Sequence, residues 1–387
     1  METLKAHFAR SILRPGAPLH FAAHSHHPWP DVTEAAQRQC WEDAATLLDG
    51  KWQKVFGEVV PAAQRHVARQ LALPDPSTIV FAPNTHEFVR RLLSCLDPRT
   101  TPRILTTDSE FHSFARQVAR LEEDGLADIV RVPAEPPATF ARRFVAELHE
   151  GRFDLVFLSH VFFNSGRVVH EIADIVAAVR HDDTLIAIDG YHAFMALPVD
   201  LGALAHRIFY LAGGYKYAMA GEGVCFLHCP PGYGLRPRDT GWYAEFGALG
   251  AARPNEVAYG ADASRFAGAT FDPSGLYRFN AVQDWLAGLG AAGRVAAQRA
   301  YCAALQAQLV DDLAGTPLRP GQLVVDDGAA RGRFLAFLTA EAERIERALA
   351  QAGVIVDRRG DVLRIGFGVY QDAADVTRLA AALRAAA

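Results

Sequence analysis

Leu211-Ala-Gly-Gly-Tyr-Lys216-Tyr-Ala-Met-Ala-Gly-Glu-Gly-Val-Cys-Phe-Leu227 joins two apolar, strand-length runs through a glycine-rich turn that carries a single lysine. A lysine just beyond an apolar strand sits at the C-terminal edge of a sheet, where open α/β folds bind their ligands. Partial desolvation there lowers its pKa and makes it a Schiff-base nucleophile. Taken alone, such a lysine is more often surface decoration, so the neighbouring strand ends matter.

The nearest upstream signal is Ile186-Ala-Ile-Asp189-Gly-Tyr-His192-Ala. An aspartate ending an apolar strand points into the same crevice, and a carboxylate keeps a pyridinium nitrogen protonated so that the ring acts as an electron sink. The plainer reading is a turn aspartate before Gly190. Seven short apolar runs lie at 78–82, 103–107, 128–132, 154–159, 184–188, 207–211 and 223–228. Most are continuous rather than alternating, the pattern of strands buried on both faces of a mainly parallel sheet. Helix-like stretches at 87–96, 114–124, 137–149 and 171–180 separate them, which predicts an α/β wound sheet.

Beyond Tyr277 the chain changes character. Residues 279–313 are alanine-rich and poor in β-branched residues, and read as one long or broken helix. Runs at 322–325, 333–339, 354–356 and 362–367, with helices at 341–351 and from Ala373, predict a small α+β domain. The expected division is an N-terminal segment, 1–45, packing with the small domain, a large domain, 46–275, and the small domain, 276–387. The 357–361 segment reads as a turn, with Arg358 and Arg359 as solvated charges.

The chain has 387 residues, half of them apolar and 21% charged, as in ordinary globular proteins. Thirty-nine basic against forty-four acidic residues give a net charge of −5 with no basic run, which argues against nucleic acid as a partner. No apolar stretch approaches the ~18 residues of a membrane span, and Glu2, Lys5 and Arg10 interrupt the place where a signal peptide needs its apolar stretch. A cytoplasmic protein is expected. The five cysteines are odd in number and scattered, and read as reduced thiols.

Together, Asp189-x-x-His192, Tyr215-Lys216-Tyr217 with its small-residue turn, and Gly241-Trp242-Tyr243 resemble the class V aminotransferase family of fold-type I pyridoxal phosphate enzymes, with kynureninase as the nearest branch. The resemblance implies pyridoxal 5′-phosphate as cofactor, Lys216 as its Schiff-base lysine, Asp189 as partner of the ring nitrogen, and His192 beneath the ring. It makes Lys216, Asp189 and His192 the catalytic set. Tyr215 and Trp242 join the cofactor site, Tyr215 at the phosphate. Asn84, Thr85 and His86 follow the first sheet strand and open a helix whose N-terminal amides suit a phosphate; a plain N-cap by Asn84 or Thr85 would look identical. Phe111 is similar to the family's ring-stacking side chain, and a one-residue slip would select His112 instead. Thr270 resembles the threonine that reaches the neighbouring subunit's phosphate, which implies a homodimer with composite sites. Arg364 resembles the arginine that holds the substrate carboxylate in a two-pronged contact; its structural alternative is a salt bridge to Asp357 or Asp361.

Several positions depart from the family pattern. Cysteine desulfurases need a nucleophilic cysteine on a small-domain loop, yet the last cysteine is Cys302, inside the long helix. The family asparagine after the fourth strand falls on Phe163, with Asn164 adjacent. Residues 24–27 replace a kynureninase substrate segment, of which only Ser25 matches; His24 and Ser25 are the expected substrate-side residues. With His20 these histidines suggest a metal, but no spaced Cys or carboxylate completes a set, so none is expected. The expected activity is amino-group transfer on an amino acid, with Cβ–Cγ hydrolysis of the kynureninase type as alternative and a non-catalytic cofactor-binding protein as the lesser one.

Overall fold

The computed structural model describes residues 3–248 and 256–387. After a two-residue strand β1 (Leu19–His20), the next seven strands build one sheet: β2 (Ile79–Ala82), β3 (Arg103–Thr107), β4 (Asp128–Val132), β5 (Leu155–Ser159), β6 (Leu185–Asp189), β7 (Phe209–Gly213) and β8 (Cys225–His228). Their order is β2-β8-β7-β6-β5-β3-β4, parallel throughout except β8, which runs against both its neighbours. Every residue of β5 and β7 is buried, because alternate side chains enter two cores. Val156, Ile186, Ile188 and Tyr210 face one. Leu155, Phe157, Ala187 and Leu211 face the other. The fold is the expected α/β wound sheet with helices on both faces.

Strands β3, β5, β6 and β7 run in one direction and end together at Thr107, Ser159, Asp189 and Gly213. The loops leaving these ends carry Phe111, Phe163, His192 and Lys216, which is how residues far apart in sequence arrive at one crevice.

The small unit is a three-stranded antiparallel sheet, β9 (Phe334–Leu338), β11 (Asp357–Arg359) and β12 (Val362–Gly366), in the order β11-β12-β9, while β10 (Val354–Ile355) pairs in parallel with β1. Two expectations need correction here. Residues 357–359, read as a turn, are strand β11; the reversal is confined to 360–361, where Gly360 adopts φ +55°. Residues 322–325 form no strand; Leu323 alone bridges to Phe337.

The expected long or broken helix is two helices, Ser274–Gly288 and Val295–Asp311, with the break where Gly290 turns left-handed at φ +59°. Its first half sends Leu276, Tyr277, Phe279, Val282 and Leu286 into a large-domain core, and its second half sends Cys302, Leu305 and Leu309 into the small-domain core. The packing seam therefore lies at 289–294. The N-terminal segment is likewise shared: β1 joins the small unit, and the helix Val32–Leu47 packs along Ser274–Gly288. No helix among the described residues is long and apolar enough to cross a membrane.

Candidate active site

Lys216 lies in the tight connection from β7 to β8. Gly214 N–H donates to Val224 O at 2.8 Å, Ala220 N–H to Gly214 O at 2.9 Å, and Met219 N–H to Lys216 O at 3.0 Å. The N-terminal segment clamps this loop from outside, with His27 N–H donating to Tyr215 O at 2.9 Å. The lysine is thereby held inward, only 5% exposed. Burial lowers its pKa to about 7, Asp189 opposing the shift and Arg364 adding to it.

Lys216 Nζ is 2.7 Å from Nε2 of His192. His192 is neutral, since burial and then the Lys216 charge push its pKa well down. Its Nδ1 is buried without a partner. The rings of Tyr191, Phe111 and Tyr215 lie 4.6, 5.6 and 5.6 Å from Nζ. A wall of side chains continues from Phe111 to Phe163 at 5.6 Å, from Phe163 to the Arg364 guanidinium at 5.9 Å, on to Phe334 at 5.9 Å, and back to His192 at 5.7 Å. The crevice is thus aromatic around two cationic side chains.

Asp189 ends β6 beside this group. Its Oδ1 accepts from Tyr191 N–H at 2.9 Å, and among the described residues no cationic side chain forms a salt bridge with it. Burial raises its pKa, against the pull of that N–H and of Lys216. A second buried carboxylate, Glu110, accepts from Ser159 N–H at 3.1 Å, Ser159 Oγ at 2.6 Å and Thr107 Oγ1 at 2.6 Å. Burial raises it to about 7 despite these bonds. Sequence reasoning missed Glu110, although it immediately precedes Phe111; only the fold brings it against Ser159, the register partner of Asp189.

Arg364, 3% exposed, is the direct cross-strand partner of Asp357. Its Nη2 donates to Asp357 Oδ2, its Nη1 to Phe163 O, and its Nε has no partner. Arg359, expected as a solvated charge, donates to Asp357 Oδ1 at 2.7 Å, and Arg358 to Glu346 at 2.9 Å. His24 is fully buried, stacked on Phe334 at 4.6 Å, with Nε2 3.4 Å from Asp357 Oδ2. Burial lowers its pKa to about 4, so it is neutral at pH 7.

The other expected residues are placed less centrally. Asn84 Oδ1 caps the helix Thr85–Leu93 by accepting from Glu87 N–H at 3.0 Å, and Asn84 and His86 are exposed. Phe111, not His112, faces Lys216; His112 is exposed and packs on Phe163 at 5.2 Å. Tyr215 stacks on His26 at 5.1 Å. Ser25 Oγ meets the exposed His26 at 3.3 Å, outside the aromatic wall. Trp242 is 45% exposed, and Thr270 is exposed. Asn164 has a buried, unpartnered Oδ1, while Phe163 takes the position against Phe111. Among the described residues no group of three or more His, Cys, Asp or Glu gathers as a metal site.

The residues fit pyridoxal phosphate on their own chemistry. A buried lysine with a pKa near 7 is about half uncharged at neutral pH and available as nucleophile, Asp189 is a buried acceptor with no salt bridge among the described residues, His192 has an orphaned ring nitrogen, and Phe111 offers an aromatic face to Nζ.

The model of the class-V aminotransferase family matches residues 22–379. A probable cysteine desulfurase of Vibrio cholerae serotype O1 is 23% identical over 337 residues, covering 84% of this chain and 81% of that protein. An isopenicillin N epimerase of Streptomyces clavuligerus is 30% identical over 178 residues, 44% of each. The solved structure of the cystine C–S lyase C-DES with cysteine persulfide superposes with a TM-score of 0.80 at 19% identity, covering 95% of this chain and 97% of that one. A cysteine desulfurase from Thermococcus onnurineus NA1 gives 0.80 at 13% identity, covering 100% and 98%.

Proposed function

This chain belongs to the class-V aminotransferase family, whose cofactor is pyridoxal phosphate, and from that premise we propose that it transfers the amino group of an amino acid by moving a proton at the substrate's Cα. The observation that carries this reading is Lys216: buried, with a pKa near 7, and bonded to His192 at 2.7 Å. A base poised at the working pH is half available and still strong enough to take a carbon-bound proton.

The cofactor supplies the carbonyl that condenses with an amine and a ring that accepts the resulting electron pair. Lys216 Nζ would hold it at rest and, once released, would take the proton from Cα and give it up on the cofactor side, as amino-group transfer requires. Asp189 would keep the ring nitrogen protonated, Phe111 and His192 would pack against the ring, and the N-terminal amides of Thr85 and His86 would receive the phosphate. Tyr215 and Trp242 extend this site. Arg364 orients the substrate carboxylate, with His24 lining that end and Ser25 at the rim. The aromatic wall excludes water, which strengthens each of these charged contacts.

Sulfur transfer to a protein thiol is not supported. Cys225, Cys229 and Cys302 are buried; burial pushes Cys225 and the half-buried Cys95 up to about 12, and burial with the nearby Asp272 and Asp43 raises the half-buried Cys40, so none of Cys40, Cys95 and Cys225 is poised as a thiolate at neutral pH. A homodimer follows from the same reading. Exposed Trp242 and Phe246 stand beside a cavity of about 200 Å³ lined in part by Phe56, Tyr243 and Phe271, next to Thr270, and a second copy would cover this aromatic face.

The test is exchange of the Cα hydrogen across an amino-acid panel in deuterated water, with assay of 2-oxo acid. Exchange with stoichiometric 2-oxo acid supports amino-group transfer. Cβ–Cγ cleavage products would move the protein to the hydrolase branch, and inverted amino acid without 2-oxo acid would make it an epimerase.

A further inference from the structure

The Arg364 end of the crevice holds an imbalance of charge. One carboxylate, Asp357, is shared by two guanidiniums: Oδ2 accepts from Arg364 and Oδ1 from Arg359 at 2.7 Å. Burial alone would raise the Asp357 pKa, but His24 and the two arginines hold it well below the usual range, so it is an anion throughout the working pH range. With His24 neutral, this cluster carries a net positive charge.

Arg364 cannot readily follow its partner. Its guanidinium lies between the rings of Phe163 and Phe334, each 5.9 Å away, and Nη1 is tied to Phe163 O. Its grip on Asp357 is nevertheless incomplete, since one nitrogen holds the carboxylate and the buried Nε has no partner. Asp357 has somewhere else to go. Arg359, with 44% of its side chain exposed, already holds Oδ1, and the His24 ring stands 3.4 Å from Oδ2 without a hydrogen-bond partner of its own.

We propose that Asp357 is an internal stand-in for the substrate carboxylate, occupying Arg364 at rest and passing to Arg359 when an amino acid binds. Two guanidiniums and one carboxylate become two matched pairs, Arg364 with the substrate and Arg359 with Asp357. The two-pronged contact through Nε and Nη2 then satisfies the orphaned nitrogen. Because substrate gains only the difference between two carboxylates on one arginine, Asp357 sets how strongly the site distinguishes an amino acid from a simple amine. This inference rests on the amino-acid reading above and adds the residue that tunes it.

L-Alanine and ethylamine differ only in the carboxylate, and their dissociation constants can be read from the absorbance of the bound cofactor. In the wild-type holoenzyme alanine is expected to bind only slightly better than ethylamine. Asp357→Asn, which leaves Arg364 without a competing anion, should tighten alanine about tenfold relative to ethylamine. Arg359→Gln leaves the buried pair intact and so keeps the test available if Asp357→Asn fails to fold. It removes the resting place of the displaced carboxylate and should weaken alanine about tenfold while sparing ethylamine. An unchanged ratio in Arg359→Gln, or weaker alanine relative to ethylamine in Asp357→Asn, overturns the role of Asp357 and leaves the cofactor assignment standing. Absence of the visible band or of any response to either amine in the wild type overturns the amino-acid reading and this inference with it.

Discussion

Lys216 Nζ meets His192 Nε2 at 2.7 Å inside a wall of aromatic rings, so a lysine and a histidine share a hydrogen bond with little water to screen them. The contact survives because neither is fully charged near neutrality: His192 is neutral and serves as acceptor, and the lysine is close to its midpoint.

The cofactor-free protein should report this lysine in its stability. The folded-state pKa of Lys216 is about 7 against 10.5 for an ordinary lysine, so between those values the unfolded chain binds more protons. Stability rises with pH in that window and is flat below it. Melting curves from pH 6 to 9 should show a gain of up to about 2 kcal/mol above pH 7 that Lys216→Met lacks.

Borohydride reduction followed by peptide mapping should place the cofactor label on Lys216, and the purified protein should be yellow. Lys216→Ala should lose the visible band and slow Cα exchange by a factor of about 10²–10⁴. A label on another lysine would remove Lys216 from its proposed role.

Glu110 has the opposite sign. Its folded pKa, about 7, lies above the ordinary 4.5, so the stability it contributes is complete below pH 4.5 and is lost as pH rises through 7. Glu110→Gln keeps the oxygen that accepts from Ser159 and Thr107 but cannot ionise. Relative to wild type, the variant should melt higher at pH 8 than at pH 5; an equal difference at both values would show that Glu110 carries no proton of consequence.

Asp189→Asn should keep the chain folded, because Oδ1 can still accept from Tyr191 N–H. It removes the charge proposed to hold the ring nitrogen protonated, and Cα exchange is expected to fall roughly a hundredfold or more. Asp189→Glu should recover part of the rate, which a purely structural role would not require.

Mixing inactive Lys216→Ala with Thr270→Ala subunits should restore activity if the site is composite, and Trp242→Glu should shift light scattering from dimer to monomer. Active wild-type monomer would contradict the shared site.

The sheet was legible because its strands are buried on both faces. Continuous runs such as 155–159 and 185–188 have few other uses in a chain of this composition, and each expected run overlaps a strand. The Lys216 and Asp189 positions were legible for a related reason: a charged residue that ends an apolar strand is at the sheet edge whatever surrounds it. The break within 279–313 was not, since alanine-rich sequence favours helix equally on both sides, and only the burial of Leu276 and Phe279 in one core and of Cys302 and Leu305 in another separates the two halves.

What the sequence determined alone was local: strand periodicity, the glycine-flanked lysine, and the family whose pattern these match. The tertiary structure decided what depends on register and contact. It placed Phe111 rather than His112 against Lys216, set Glu110 on Ser159, and turned 357–359 from a presumed turn into a strand that faces Asp357 with Arg364. Burial, pKa and pairing are properties of groups brought together from distant positions, and a one-residue change of register would reverse which side chains meet.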